Sequence, residues 1–276
     1  MQRFKMDGHA DSLLPEGKWN LVWHDEFDGQ TLNRQKWDFR TEIMGKRHPG
    51  MCENEGVFLD GNSSLIFTLI EKDGRVCCAT LQTGYNFMDA VRCQEKTKYS
   101  GRLYWPIPPF RKHLFLHTYG YYECRCRLQR REGWWSAFWI QSPTIGASPD
   151  TSRTGVEIDV MESFHPGELL EHCCHWGGYG SDHRMRSAGR RRSGFDTESY
   201  HLFGVLWTRQ GYTFYVDGVE DGHMEGPVSG CPQFLLIGAE VNGYREHFCH
   251  SAEAAAAVGD TFAVDHIRVF DPVSAP

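Results

Sequence analysis

No apolar run in the 276 residues approaches the ~20 that a membrane-spanning helix needs, so no membrane partner is expected. Residues 1–15 mix Lys, Arg, Asp and His and hold no apolar core of the kind an export signal requires. Positive charge is short too: 29 Lys+Arg stand against 36 Asp+Glu, a net charge of −7 with histidine neutral. That balance argues against nucleic acid as a partner. A 3.6-residue period is nowhere sustained beyond about three turns. Neither a phosphate-cradling Gly-rich loop nor a Gly-x-Ser-x-Gly elbow occurs. Linkers and internal repeats are missing as well. One domain over residues 18–276, preceded by a loose or wrapping segment over 1–17, is the simplest organisation.

What the chain has in quantity is aromatic rings and glycine: nine Trp, eleven Tyr, seventeen Phe and 29 Gly. Flat rings and tight turns suit a β protein that stacks against sugars or other planar ligands. Short alternating runs predict strands over 64–72, 76–83, 120–128, 134–141, 156–163, 171–176, 200–208, 213–219, 233–241 and 262–270. This spacing reads as an all-β antiparallel sandwich or barrel. The Ala-rich stretch 251–258 predicts one short helix. Segments 99–117 and 177–193 read as loops, the second carrying Arg184, Arg186, Arg190, Arg191 and Arg192. Such a cluster is either solvated surface or a rim for sulfate, uronate or phosphate groups. A chain this large needs no disulfide staples, so most of its ten cysteines read as reduced, buried small hydrophobes, with room for one or two bridges.

The most informative stretch is Gly155-Val-Glu-Ile-Asp-Val-Met-Glu-Ser-Phe164. Glu157 and Asp159 share a face by the pleat, whereas Glu162 falls on the other face of a regular strand. A one-residue bulge near Val160-Met161 restores the phase and brings all three acids to one side. Val156, Ile158 and Val160 then bury the opposite face. Clustered carboxylates force their pKa values apart and leave one protonated near neutral pH. Retaining glycoside hydrolysis needs that pairing: one carboxylate attacks while one carboxylic acid protonates the leaving oxygen, with the two groups about 5–5.5 Å apart. An acidic strand edge or a calcium site is the plainer alternative. The run Glu171-His-Cys-Cys-His175 has the residue types of a zinc site. On a strand, however, His172 and Cys174 face one way and Cys173 and His175 the other, so these four cannot close a tetrahedron.

Glu157-Ile-Asp-Val-Met-Glu162 resembles the catalytic strand of glycoside hydrolase family 16 in its bulged form, the laminarinase, agarase and carrageenase-like branch. Four further stretches resemble the family in the same order. They are Trp19-Asn-Leu-Val-Trp-His-Asp-Glu-Phe-Asp28, Tyr119-Gly-Tyr-Tyr-Glu-Cys-Arg125, Gly133-Trp-Trp-Ser-Ala-Phe-Trp139, and Trp207 with Tyr215-Val-Asp-Gly218 and Val264-Asp-His-Ile-Arg-Val269. The resemblance implies a β-jelly-roll sandwich of two antiparallel sheets with a concave substrate cleft. It implies Glu157 as nucleophile, Glu162 as general acid/base and Asp159 as the assisting acid. It also implies Trp135, Trp139 and His175 as substrate contacts, to which Trp176 and, from the arginine cluster, Arg190 are added as candidates. That cluster after His175-Trp-Gly-Gly-Tyr-Gly180 departs from the usual glucanase text and would suit a sulfated or acidic galactan.

By the same resemblance the activity expected is retaining, endo-acting hydrolysis of internal β-1,3 or β-1,4 linkages. The substrate expected is a β-glucan or a β-galactan, including sulfated red-algal galactans such as carrageenan or porphyran. No cofactor is required for that chemistry. A structural calcium held by Glu26, a carbonyl near Gly61 and Asp265 is implied by some family members, and hard oxygen donors suit it. Two departures bear on substrate: Ser136 stands where the family commonly has Pro, and Pro149-Asp-Thr-Ser-Arg-Thr-Gly155 replaces a Trp-Pro approach to the catalytic strand. The rival reading from another class is a non-catalytic carbohydrate-binding module, and the enzymatic rival is a transglycosylase. Binding modules lose the acids that this chain keeps. A monomer acting on polysaccharide outside the cell, secreted or at the cell surface, is the setting expected.

Overall fold

The computed structural model describes residues 1–41, 55–87, 111–167, 169–188, 194–241 and 252–273. The chain opens with a hairpin, β1 (Gln2–Phe4) and β2 (Ser12–Leu14). It continues through β3 (Trp19–Asp25), β4 (Asp38–Phe39), β5 (Val57–Leu59) and β6 (Leu65–Thr68). A small hairpin of β7 (Ile70–Lys72) and β8 (Arg75–Cys77) precedes β9 (Thr80–Gln82), β10 (Gly120–Arg127) and β11 (Trp134–Gln141). One helical turn, α1 (Thr151–Thr154), leads into β12 (Glu157–His165), β13 (Leu169–Trp176) and β14 (Arg184–Ser187). The remainder is β15 (His201–Trp207), β16 (Tyr212–Val216), β17 (Val219–Met224), β18 (Phe234–Val241), α2 (Ala252–Ala256) and β19 (Thr261–Pro272).

Two antiparallel sheets carry the fold. One runs β17-β16-β15-β10-β19-β6-β5, with β3 also paired to β19; the other runs β14-β13-β12-β11-β18-β9-β4. Alternation explains how they stack. Tyr122, Cys124, Phe203, Val205, Phe214, Val264 and Ile267 of the first sheet and Trp134, Phe138, Ile140, Ile158, Leu235 and Ile237 of the second turn inward to one buried cluster. The result is the jelly-roll sandwich, its second sheet free to present the opposite face of each strand to a ligand.

Several expected strands are two. Asp73-Gly74 and Asp217-Gly218 both sit at positive φ, 51° and 71°, then 51° and 77°. That conformation makes the two-residue turn of a hairpin, so 213–219 breaks into β16 and β17. Residues 1–17 are not a loose tail. Leu14 is fully buried with Tyr121 and Phe270 on the outer face of the first sheet, and Phe4 and Trp19 pack around them. Part of the expected loop 177–193 is strand β14, and the short helix is present as α2. Every described cysteine is a free thiol, and six of the seven are buried.

Candidate active site

Strand β12 lies between β11 and β13 in the interior of the second sheet. Its entry is held rigidly. Asp150 caps α1 by accepting the Ser152 N–H (3.1 Å), and Gly155 turns the chain at φ 89°. A Cβ at Gly155 would lie 2.2 Å from Ser142 Cβ, so only glycine allows this approach. Gln233 then clamps Val156 from both sides, accepting its N–H (3.1 Å) and donating to its carbonyl (2.8 Å).

The bulge is where the phase argument requires it. Trp139 pairs with Asp159, and the next β11 residue, Phe138, pairs with Met161, leaving Val160 as the extra residue. On the other side Asp159 pairs with Cys173 and Glu162 with Glu171, three steps against two. Val156, Ile158, Val160 and Met161 are fully buried in the core, while Glu157, Asp159 and Glu162 all line one cleft of about 710 Å³.

Trp135, Trp139 and His175 line that cleft with the acids. Trp176 does not. It is adjacent to His175 on β13, so the pleat turns it to the other side, where it packs against the core cluster. Arg190 lies outside the described residues, as do Arg191 and Arg192. Of the remaining cluster, Arg184 and Arg186 pair with Trp176 and Cys174, residues turned away from the cleft, while Met185 between them lines it.

Side chains that the sequence reading passed over complete the site. Glu157 Oε2 accepts hydrogen bonds from Gln141 Nε2 (2.7 Å) and from the Tyr179 hydroxyl. Asp159 Oδ2 accepts from the Cys173 thiol (3.0 Å), and His175 Nε2 stands 3.2 Å from that sulfur and 3.4 Å from Asp159 Oδ2. His175 Nδ1 is 2.8 Å from His183 Nε2. The Arg40 guanidinium lies 4.9 Å from the centre of the Trp139 ring. Gln141 was legible, being two residues beyond Trp139 on the same face; Tyr179 and His183 arrive from a turn with no periodic signal.

Burial, and then the charges of Glu162 and Glu157, push the Asp159 carboxyl well above its usual range. Burial, and then the Glu157 charge, push Glu162 up to about 8. Glu162 therefore keeps its proton at neutral pH, the state a proton donor needs. Burial pulls His175 down, assisted by His183 and opposed by Glu157, which favours a neutral ring.

The calcium implied by the resemblance does not fit the residues present. Both oxygens of Glu26 are taken by Arg268, at 2.9 Å from Nε and 2.7 Å from Nη2. Burial alone would raise the Glu26 carboxyl, but the bonds and charge of Arg268 overcome it and hold the group below its usual range. Asp265 is similarly engaged by Arg125 (2.9 Å) and His266 (3.0 Å). The guanidinium groups already supply the positive charge that an ion would bring to Glu26 and Asp265.

Residues 112–225 match the family model described as glycosyl hydrolases family 16. The chain is 25% identical over 203 residues to the glucan endo-1,3-beta-glucosidase A1 of Niallia circulans, covering 72% of this chain and 28% of that protein. It is 27% identical over 206 residues to the beta-glucanase of Rhodothermus marinus, covering 72% of this chain and 63% of that protein. The chain thus spans less than two thirds of the length of these relatives. Among solved structures, the catalytic domain of an endo-1,3-beta-glucanase (laminarinase) from Thermotoga petrophila RKU-1 superposes with a TM-score of 0.66 at 21% identity. That superposition covers 94% of this chain and 100% of the other, and it establishes a common fold.

Proposed function

We propose that the chain is a glycosyl hydrolase of family 16, whose model matches residues 112–225, and that it works as a retaining endo-β-glycosidase on a neutral β-glucan. The observation that carries the reading is the bulge at Val160, which sets three acids in one cleft between tryptophans. Glu157 attacks the anomeric carbon through Oε1, since Gln141 and Tyr179 both donate to Oε2 and hold the carboxylate in aim. Glu162 gives its proton to the leaving oxygen, then takes one from the water that opens the glycosyl–Glu157 ester. Asp159, close enough for its acidity to depend on both neighbours, assists between them.

Trp135 and Trp139 offer faces for the C–H surface of successive sugars. Neither Arg184 nor Arg186 lines the cleft, and Arg40, which does, lies over the Trp139 ring; we therefore read the substrate as a neutral chain rather than a sulfated one. A polymer of this kind is met outside the cell, so we place the protein there, secreted or on the cell surface and acting as a monomer. Among the described residues no helix is long and apolar enough to cross a membrane.

The test has two parts. Reducing-end release is measured on laminarin, mixed-linkage glucan, agarose, porphyran and carrageenan, and the anomer formed first is read by NMR. Release from the glucans with a β product first, absent in Glu157→Gln, is expected. An α product first would overturn retention. Release from sulfated galactans alone would move specificity to Arg190–Arg192. Transfer to sugar acceptors in preference to water would make the enzyme a transglycosylase, and binding without turnover would make it a binding module.

A further inference from the structure

Asp159, Cys173 and His175 converge on one point of the cleft from two strands. Their ligand atoms lie 3.0 Å (Asp159 Oδ2 to Cys173 Sγ), 3.2 Å (Cys173 Sγ to His175 Nε2) and 3.4 Å (His175 Nε2 to Asp159 Oδ2) apart. Glu162 Oε2 is 3.5 Å from the same sulfur but stands outside this group of three. Bond lengths of about 2.0–2.3 Å around a tetrahedral zinc set ligand–ligand edges of about 3.3–3.6 Å. The three observed edges are equal to or shorter than those values by at most about half an ångström, so ligation needs only a small spreading of the two sulfur edges. The run 171–175 cannot close such a site alone, because half of it faces the core. Its cleft-facing half is completed instead by Asp159 of β12, which its pairing with Cys173 brings alongside.

We propose that this end of the cleft binds a borderline divalent cation of the zinc class, held by Asp159, Cys173 and His175, its fourth position open to the cleft. Thiol and imidazole donors select such an ion over calcium or magnesium, which take oxygen. His175 is oriented from behind: with its Nδ1–H donated to His183 Nε2, its Nε2 lone pair faces the sulfur. The way in is the cleft itself, which all three ligands line. Binding releases the protons of the Cys173 thiol and the Asp159 carboxyl to solvent as thiolate and carboxylate coordinate.

A second consequence rests on the reading under Proposed function. An ion there occupies Asp159 and sets positive charge beside Glu157 and Glu162, which draws the proton from the donor and blocks the cleft, so metal-loaded protein does not turn over. Sugar and metal compete for the same ground.

The experiment is titration of the chelator-treated full chain with Co²⁺, kept reduced by a phosphine. One equivalent is expected to give tetrahedral d–d bands and a thiolate-to-cobalt charge-transfer band, displaced by Zn²⁺. Cys173→Ser should lose the charge-transfer band, and His175→Gln should bind about tenfold or more weakly. Circular dichroism checks that each variant is folded. If Cys173→Ser does not fold, the His175→Gln titration decides.

An octahedral spectrum without a thiolate band, or a band surviving in folded Cys173→Ser, would overturn the site. Unchanged affinity in His175→Gln would overturn it equally. Because the spectrum is read without substrate, its failure is separate from failure of the hydrolase reading. Zinc inhibition of glucan hydrolysis, reversed by EDTA, then tests the second consequence, and full turnover of zinc-loaded protein would sink it.

Discussion

A single hydroxyl shows how closely the candidate nucleophile is supervised. Tyr179 donates to Glu157 Oε2, and burial followed by the Glu157 charge holds the phenol well above its usual range, so it remains a donor. The residue as a whole is 43% exposed, at the rim rather than in the core. Its removal should therefore touch chemistry more than folding. A hydrogen bond to a charged group contributes about 1.5–3 kcal/mol, so Tyr179→Phe is expected to lower kcat about tenfold to a hundredfold with KM moving little. Steady-state kinetics beside a thermal melt checks this. A large fall in melting temperature with kcat intact would reassign Tyr179 to structure. The contrast with Trp176 is instructive, because that ring, one residue from the cleft-lining His175, serves only the interior.

At the scale of the strand, one extra residue decides where the acids point. In β12 both Val160 and Met161 face the core, whereas regular alternation would send one of them into the cleft. Deleting Val160 alone leaves Asp159, Met161 and Glu162 in regular alternation, so Glu162 keeps its place opposite Ala137. That variant is expected to fold, weakened by loss of a buried valine, about 1.5–3 kcal/mol, and to retain measurable turnover. Deleting Val160 and Met161 together sends Glu162 toward the core, and an unpaired carboxyl there abolishes folding or activity. Circular dichroism and rate assays of the pair separate the two cases. Equal activity in both would show that the bulge does not set the phase.

The whole molecule inherits a pH dependence from this cluster. Glu162, raised from 4.5 to about 8, keeps its proton in the folded chain while the unfolded chain has released it. A raised carboxyl contributes stability fully present below about 4.5 and lost as pH rises toward about 8. Asp159 acts in the same sense, as do His201 and His266, both raised. His113 and His175, both lowered, work against it around and below 6.5. Below about 4.5 the depressed Glu26 and Asp265 take over, and stability falls as they are protonated. The melting temperature is therefore expected to fall between pH values of about 5 and 8, and to fall less in Glu162→Gln. Identical slopes in the two proteins would remove Glu162 from the account.

Alternation along single strands was enough to read an all-β sandwich, the core side of β12 and the cleft side of Glu157, Asp159 and Glu162, because the two-residue period is a local property of the backbone. Even the bulge was legible, since three acids on one face demanded it. Turn chemistry such as Asp217-Gly218 was also present in the text and was read through as strand. What the sequence did not contain is which neighbour each strand would take. Gln141, Cys173, Tyr179 and His183 join the acids only because β11, β12 and β13 lie side by side and the turn after β13 folds back over Glu157. The guanidinium of Arg268 reaches Glu26 across 242 positions of chain. Such convergence depends on long-range pairing and on the burial it creates. Burial and neighbouring charge also raise Glu162 into the range of a proton donor, and no stretch of residues carries those forces by itself.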